Sequence, residues 1–446
     1  MSEERGLFSS RMGFILAAAG AAVGLGNIWR FPYLAAEYGG GIFLLVYLIL
    51  VVTLGFTIMI TEIAIGRSTG TSVVTAFAKL HKKYTFIGYL SLLVPLIILP
   101  YYSLIGGWVM KYAAVYFTGG ADAAAADGFF NGFTALPVEP ILWTLIFVAL
   151  ACVVVVLGVE KGIERANKIL MPSLILMLIA LTAYCLSLPG GLDGLWYYLY
   201  PDVSKFSAET VLAAMGQVFY SLTLGFGVMI TYGSYLAKKT DMEKSVRTIE
   251  IFDTGVAFLA GLLIIPAVFV FSGGSPEALG AGPGLMFQAL PKVFDMMPFG
   301  SVVGAVFFVL VAVAALTSCI CMLEVPVAVL GDRFGVSRKV ASGLVFLFTM
   351  ILAVPISLGF GVLDWISLAG MSLLDMFDFF SNSILLPVVS ILTCIFIGWI
   401  VRPKVVIDEV KRSSLFKSER MYVVMVKFIA PICITAILIY GLFSVL

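Results

Sequence analysis

Residues 17–33 read AAAGAAVGLGNIWRFPY, an apolar stretch that contains three glycines and ends with a polar and a charged group. Its first ten residues are apolar enough to lie in a bilayer, but glycines weaken any helix there. Asn27 and Arg30 follow at once, where a simple membrane anchor would continue with apolar residues. Polar groups inside a membrane are costly and usually functional. The stretch therefore predicts a membrane helix that is interrupted beside a functional site.

The composition predicts an all-α integral membrane protein that crosses the bilayer many times. Of 446 residues, 61% are hydrophobic and 12% are charged, and many apolar runs are long enough to span a bilayer core about 30 Å thick. A net charge of +1 and scattered basic residues argue against nucleic-acid binding. A single histidine leaves little for an enzymatic or haem site, so a membrane enzyme is the weakest hypothesis.

Hydropathy predicts about eleven spans. They cover residues 12–37, 41–66, 86–117, 139–158, 164–188, 208–237, 248–272, 299–331, 338–358, 361–401 and 421–446. Lys and Arg are concentrated in alternate loops, which predicts a cytoplasmic N-terminus and an external C-terminus. The tenth region must then cross once, and we expect a break near Ser381 to Pro387.

Span six contains a second interrupted stretch, GQVFYSLTLGFGVMITY, at Gly216 to Tyr232. Two glycine-interrupted spans that lie five apart indicate an inverted-repeat transporter of two five-helix halves. We expect one transporter domain over 1–446, with repeats at 11–188 and 208–402 and an additional span at 421–446. For either stretch alone, glycines that merely let helices pack closely are an equally good explanation.

Three motifs resemble the neurotransmitter:sodium symporter family, above all its prokaryotic amino-acid transporters. They are GAAVGLGNIWRFPY in span one, YSLTLGFG in span six and ALTSCICMLEVP in span eight. The resemblance implies the leucine-transporter-like five-plus-five fold, Na⁺-driven symport by alternating access, no enzymatic activity, and a place in a prokaryotic cytoplasmic membrane. It also implies a protein that acts as a monomer or weak dimer.

The same resemblance implies two Na⁺ sites. The first would use Ala22, Asn27, Ser221 and Asp253 together with the substrate carboxylate. The second would use the carbonyls of Gly20, Val23 and Ala314 with the hydroxyls of Thr317 and Ser318. These are hard oxygen ligands, as Na⁺ requires. Taken singly, the two hydroxyls of span eight would more often bond back to carbonyls of their own helix.

The resemblance also implies a substrate site for a neutral, hydrophobic amino acid. Family members that carry amines place an acid where this chain has Gly24, so the substrate is expected to bring its own carboxylate. Tyr102 would bind that carboxylate. The expected contacts are Ala22, Leu25, Gly26, Ile98, Tyr102, Tyr220, Thr223, Phe226, Ser318, Cys321 and Met322.

One position departs from the family's pattern. The resemblance would place Glu or Ser at position 257, where this chain has Ala257. Asp253 can then supply the negative charge near the first Na⁺, so we expect transport that does not depend on chloride.

Two gates complete the expectation from the resemblance. Arg30 and Asp364 would form the outer pair, with Gln217 and Tyr220 beside them. Arg5 and Asp332 would form the inner pair, with Ser234 and Tyr235. Gly162 and Pro172 resemble the motif at which span five unwinds, although a plain proline kink explains them as well. The alternative function is a channel- or receptor-like member of the same fold that does not couple transport to Na⁺.

Overall fold

The structure is a computed structural model that describes residues 7–271, 284–367 and 370–443. Within this part, nine helices are long and apolar enough to cross a membrane, and one bent pair would be a tenth span. The halves of span six are too short to qualify separately, at 14 and 6 residues. The spans are Arg11–Ala22 with Gly26–Glu37, Gly41–Thr69, Lys82–Phe117, Glu139–Val156, Val159–Ser187, Ala208–Ser221 with Val228–Gly233, Met242–Phe271, Gly300–Phe334, Arg338–Leu358, Leu373–Ile400 and Glu419–Phe443.

Span one breaks where its glycines predict a break. The first half ends at Ala22, the second begins at Gly26, and the two halves meet at a bend of 61°. The glycines are needed for close approach. A Cβ on Gly24 would lie 2.8 Å from Ser318 Oγ, and one on Gly26 would lie 2.4 Å from the Tyr220 ring.

Span six breaks between Ser221 and Val228. The break contains three residues with positive φ: Thr223 at 54°, Gly225 at 84° and Gly227 at 71°. Glycine adopts this conformation without strain, which explains its use here. The amide N–H that the break frees at Gly225 donates a 2.7 Å hydrogen bond to Oε1 of the buried Glu62 on span two.

Span ten differs from its predicted form. Its helix begins at Leu373 rather than near residue 361, and turns occupy residues 359–365. The expected break near Ser381 to Pro387 is wrong, because the helix continues through a π-helical stretch, Phe379–Leu385, into Leu386–Ile395. A π-helical stretch widens the helix without ending it.

Short helices lie between the spans, among them Val73–Leu80, Gly191–Leu199 and Lys404–Lys411. The first half of span one packs against spans five, seven and eight, and span eight packs along span three. The residues of both breaks are buried, so their unwound backbone is shielded from lipid by protein.

Candidate functional site

The predicted first sodium site is a closed network of buried polar groups. Asn27 Nδ2 donates to Ser221 Oγ at 2.9 Å and to Asp253 Oδ1 at 2.7 Å. Ser221 Oγ lies 2.9 and 2.8 Å from the two carboxylate oxygens of Asp253. Tyr47 joins them, since its hydroxyl lies 3.3 Å from Asp253 Oδ2. Nothing in the sequence singled out Tyr47, which lies in an apolar helix. The structure thus joins spans one, two, six and seven at one carboxylate.

The residues of the predicted second sodium site come together where the first half of span one ends. Ser318 Oγ lies 3.1 Å from the carbonyl oxygen of Val23 and 3.4 Å from that of Gly20. Thr317 Oγ1 donates to the carbonyl of Ala314 at 3.0 Å. Carbonyls in the last turn of a helix lack helical partners, and that end of the helix dipole is negative. The residues present therefore fit a small cation that prefers oxygen ligands.

A cavity lies between the two breaks. Ten of the eleven predicted substrate contacts line it. The lining residues are Ala21, Ala22, Gly24, Leu25, Gly26, Asn27, Ile98, Tyr102, Tyr220, Thr223, Phe226, Ser318 and Met322. The prediction that Cys321 contacts the substrate is wrong, because Cys321 does not line this cavity. Its thiol turns back along its own helix, with Sγ 2.9 Å from the carbonyl oxygen of Ser318.

Tyr102 provides the most specific feature of the cavity. Its hydroxyl is buried and makes no hydrogen bond of standard geometry among the described residues, although the Ser318 hydroxyl and the Leu25 backbone approach it. A Cβ on Gly24 would lie 3.2 Å from that hydroxyl, so the oxygen lies directly beside the break in span one. The second half of span one begins at Gly26, and the N-terminal end of a helix favours negative charge. A hydroxyl donor and a positive helix end therefore meet in one cavity.

Above the cavity lies a vestibule that is lined by Arg30 and Tyr220, two residues of the predicted outer gate. Arg30 Nη1 donates to Gln217 Oε1 at 3.3 Å, and Gln217 Nε2 donates to the carbonyl of Gly26 at 3.1 Å. The Arg30 guanidinium also lies 5.6 Å from the centre of the Tyr220 ring. Arg30 thus caps the cavity through contacts with span six.

Asp378, not Asp364, is the acid that faces Arg30. Asp378 lines the vestibule with Arg30, and the two charges attract each other across it. Asn382 Nδ2 holds the Asp378 carboxylate at 2.8 Å. Asp364 lies in an exposed turn before span ten, because the helix begins later than the sequence predicted. The predicted pairing of Arg30 with Asp364 is therefore wrong.

The opposite end of the site is closed by buried polar contacts. Tyr235 OH donates to Glu324 Oε1 at 2.6 Å, and Arg338 forms an ion pair with the same carboxylate. Phe8 N donates to the carbonyl of Tyr235 at 3.1 Å, which ties the start of the described chain to span six. Ser234 Oγ lies 2.5 Å from the carbonyl oxygen of Thr231.

Of the predicted inner gate pair, Arg5 and Asp332, only Asp332 lies among the residues that the structure describes. Arg5 lies outside the described residues. Asp332 Oδ2 accepts a 2.6 Å hydrogen bond from Ser72 N. The motif on span five shows no unwound coil: Gly162 lies in a π-helical stretch, Val159–Glu164, and Pro172 lies inside the helix that follows.

Comparison with known proteins assigns the family. The model of the sodium:neurotransmitter symporter family matches residues 5–126 and 137–445. This chain belongs to the sodium:neurotransmitter symporter family. Its members are sodium-dependent transporters and not enzymes, which confirms the predicted family, the use of Na⁺ and the absence of enzymatic activity.

Relatives from several kingdoms cover nearly the whole chain. The sodium-dependent transporter YhdH of Bacillus subtilis is 35% identical over 97% of this chain and 97% of its own length. The sodium- and chloride-dependent GABA transporter 2 of Homo sapiens is 27% identical over 98% of this chain and 80% of its own length. The crystal structure of MhsT in complex with L-phenylalanine matches with a TM-score of 0.87 at 40% identity, covering 98% of this chain and 100% of that one. The predicted leucine-transporter-like fold is thereby confirmed.

Proposed function

We propose that this symporter family member imports neutral, hydrophobic amino acids together with Na⁺. The observation that carries the proposal is the buried Tyr102 hydroxyl, which lies beside the break in span one and makes no hydrogen bond of standard geometry. A buried donor without a partner costs about 1–3 kcal/mol, and a bound carboxylate would satisfy it. The N-terminal end at Gly26 would bind the same charge.

The rest of the cavity favours an apolar side chain. Ile98, Phe226 and Met322 line it, and they bring no charge to the cavity. The MhsT structure, which contains L-phenylalanine and is 40% identical to this chain, supports the same class of substrate. A carboxylate clamp beside an apolar pocket suits an amino acid with a hydrophobic side chain.

Two sodium ions fit the two clusters of oxygen ligands. The first would lie among Ala22, Asn27, Ser221 and Asp253 and share the substrate carboxylate. The second would lie among Gly20, Val23, Ala314, Thr317 and Ser318. The Asp253 carboxylate would balance the charge of the first ion, so chloride would not be required. The buried Ala257 one turn further along span seven brings no charge of its own.

Alternating access would close each end of the cavity in turn. Arg30 and Asp378 would form the outer gate. The inner gate would involve Asp332, Ser234 and Tyr235, with Arg5 from the sequence-based prediction. Span five would open the inner side at the stretch between Gly162 and Pro172. We also propose that the N-terminus is cytoplasmic and the C-terminus is external. The two inverted repeats would comprise residues 11–188 and 208–402.

The decisive experiment is uptake of a panel of radiolabelled amino acids into proteoliposomes that contain the purified protein. We expect uptake of phenylalanine, leucine and similar substrates when Na⁺ is higher outside, and little uptake when choline replaces Na⁺. Accumulation that is equal with and without the Na⁺ gradient would contradict coupling and would favour the channel-like alternative. Uptake of charged amino acids alone would contradict the substrate class.

A further inference from the structure

Asn167 on span five carries a buried oxygen that no protein group satisfies. The side chain is 1% exposed, and its Oδ1 atom has no hydrogen-bond partner among the described residues. The Nδ2 atom donates to the carbonyl of Ile163 at 2.9 Å. This bond fixes the orientation of the amide, because the flipped orientation would bring two acceptor oxygens together.

The Oδ1 atom points at the proposed second sodium site. A Cβ built on Gly20 would lie 2.0 Å from Asn167 Oδ1 and 3.3 Å from the Cβ atom of Thr317. Gly20 and Thr317 are two of the proposed ligands of that site. The unpartnered oxygen therefore borders the ion's position from the side of span five, which contributes no other ligand to the proposed set.

A second oxygen group lies one turn further toward the predicted cytoplasmic end of span five. Glu164 and Asn167 are three residues apart, so they share a face of the helix. A Cβ on Gly13 would lie 2.0 Å from Glu164 Oε1, just as one on Gly20 would lie 2.0 Å from Asn167. The Glu164 carboxylate accepts hydrogen bonds from Ser9 N at 2.7 Å and from Ser9 Oγ at 2.6 Å. Oxygen atoms thus follow the contact between spans one and five from the sodium site to the start of span one.

The close contact has a purely structural explanation as well. A glycine Cα–H group can donate a weak hydrogen bond to an amide oxygen and hold two helices together. Such a contact is much weaker than the bond that a buried amide oxygen loses on leaving water, which costs about 1–3 kcal/mol. A carbonyl oxygen is also a suitable ligand for a hard cation.

We propose that Asn167 Oδ1 binds the sodium ion transiently as the ion leaves the second site toward the cytoplasm. After the ion leaves the carbonyl of Val23 and before water reaches the ion, the Asn167 oxygen replaces part of the lost coordination. Asn167 thereby lowers the barrier to exchange and contributes little to the resting affinity. This inference rests on the second sodium site described under the proposed function.

The test measures sodium itself rather than transport. The purified full chain is loaded with ²²Na⁺, mixed with excess unlabelled Na⁺, and filtered rapidly to follow the loss of label. The portion of bound label that is absent in Thr317→Ala reports the second site. Asn167→Leu removes the oxygen at similar volume, and we expect exchange from this site to slow about tenfold while the equilibrium affinity changes less than about twofold.

Three further variants make the result interpretable. Asn167→Ser keeps an oxygen and should exchange within about threefold of the wild type. Asn167→Asp adds a charge and should bind ²²Na⁺ at least about threefold more tightly. Thr182→Val removes another buried hydroxyl of span five, one that lies 3.3 Å from the carbonyl of Leu259, and should change neither quantity.

Each outcome bears on the proposal. Unchanged exchange in Asn167→Leu, or equal slowing in Asn167→Leu and Asn167→Ser, would show that the side chain only packs helices together. If Asn167→Leu fails to fold, Asn167→Asp decides, and wild-type affinity and exchange in that variant would overturn the proposal. If the wild type binds no ²²Na⁺, the proposed coupling fails together with this inference. If the wild type binds ²²Na⁺ and the Asn167 variants match it in affinity and exchange rate, only the role of Asn167 is disproved and the second sodium site stands.

Discussion

Asn27 Nδ2 donates a 2.7 Å hydrogen bond to Oδ1 of Asp253, and this bond joins the broken first span to span seven inside the bundle. Both side chains are fully buried. A carboxylate in such a place is stable when a cation and several donors balance its charge. Replacing Asp253 therefore tests whether its negative charge makes chloride unnecessary.

We expect wild-type uptake to be the same in chloride and in gluconate, because Asp253 supplies the negative charge. Asp253→Asn keeps an oxygen ligand but loses the charge. In gluconate it should need about tenfold more Na⁺ for half-maximal uptake, a change of about 1.4 kcal/mol, and chloride should restore part of the loss. Asp364→Asn, which changes an exposed acid, is the control. A wild type that itself requires chloride would contradict this prediction.

The second sodium site predicts that Thr317→Ala combined with Ser318→Ala abolishes Na⁺-driven uptake, because two oxygen ligands are lost together. The variant should still elute as a monodisperse protein in size-exclusion chromatography. Thr349→Ala is the matched control, since Thr349 is also buried and its hydroxyl donates to the carbonyl of Val345 in its own helix at 2.8 Å. Unaltered Na⁺ dependence in the double variant would disprove the two-site arrangement.

Tyr102→Phe removes the proposed donor to the substrate carboxylate. A hydrogen bond to a charged group contributes about 1.5–3 kcal/mol, so affinity for the best substrate should fall about tenfold or more in a scintillation proximity assay. Tyr116→Phe is the control, because Tyr116 also has a buried hydroxyl without a partner but does not line the cavity. Equal affinities for Tyr102→Phe and Tyr116→Phe would mean that Tyr102 does not bind the carboxylate.

Two variants test which acid, Asp378 or Asp364, pairs with Arg30 in the outer gate. Asp378→Asn leaves Arg30 without the charge that faces it, so bound substrate should escape to the outside about five- to tenfold faster, a loss of about 1 kcal/mol or more. Asp364→Asn should leave the rate of escape unchanged, because Asp364 lies in an exposed turn. Dissociation of labelled substrate from the purified protein measures both. A larger effect at Asp364 than at Asp378 would restore the pairing predicted from the sequence.

The breaks in spans one and six could be predicted because their cause is local. Glycines and polar groups at Gly24, Asn27 and Gly225 stand out in apolar sequence, and unwound backbone needs them. The spatial grouping of span eight with span one came from the family resemblance. Hydropathy alone predicts that a helix crosses the membrane but not which helix lies next to it.

The errors have equally specific causes. Hydropathy predicts the start of span ten about a dozen residues early, because residues in the preceding turns are also apolar. The pairing of Arg30 with Asp364 was implied by the family resemblance rather than by hydropathy. Cys321 was assigned to the cavity by position along span eight, but its thiol turns toward its own backbone. No feature of the sequence distinguishes Asn167, since one asparagine in the basic stretch that begins span five resembles an ordinary interfacial residue. Only its unpartnered oxygen, visible in three dimensions, singles it out.

The first half of span one, Arg11–Ala22, is a helix whose upper end is followed by extended backbone at Val23. Twelve residues make a lever about 18 Å long, pivoting on the extended chain near Val23. A tilt of only about 10° would move its lower end by about 3 Å, as far as a hydrogen bond is long. A swing that small would pull Ser9 away from Glu164 while the sodium ligands beside the pivot hardly moved. Under the proposed alternating access, the contact between Ser9 and Glu164 would therefore break before the sodium ligands move, so the distance of a contact from Val23 would determine when it breaks during release.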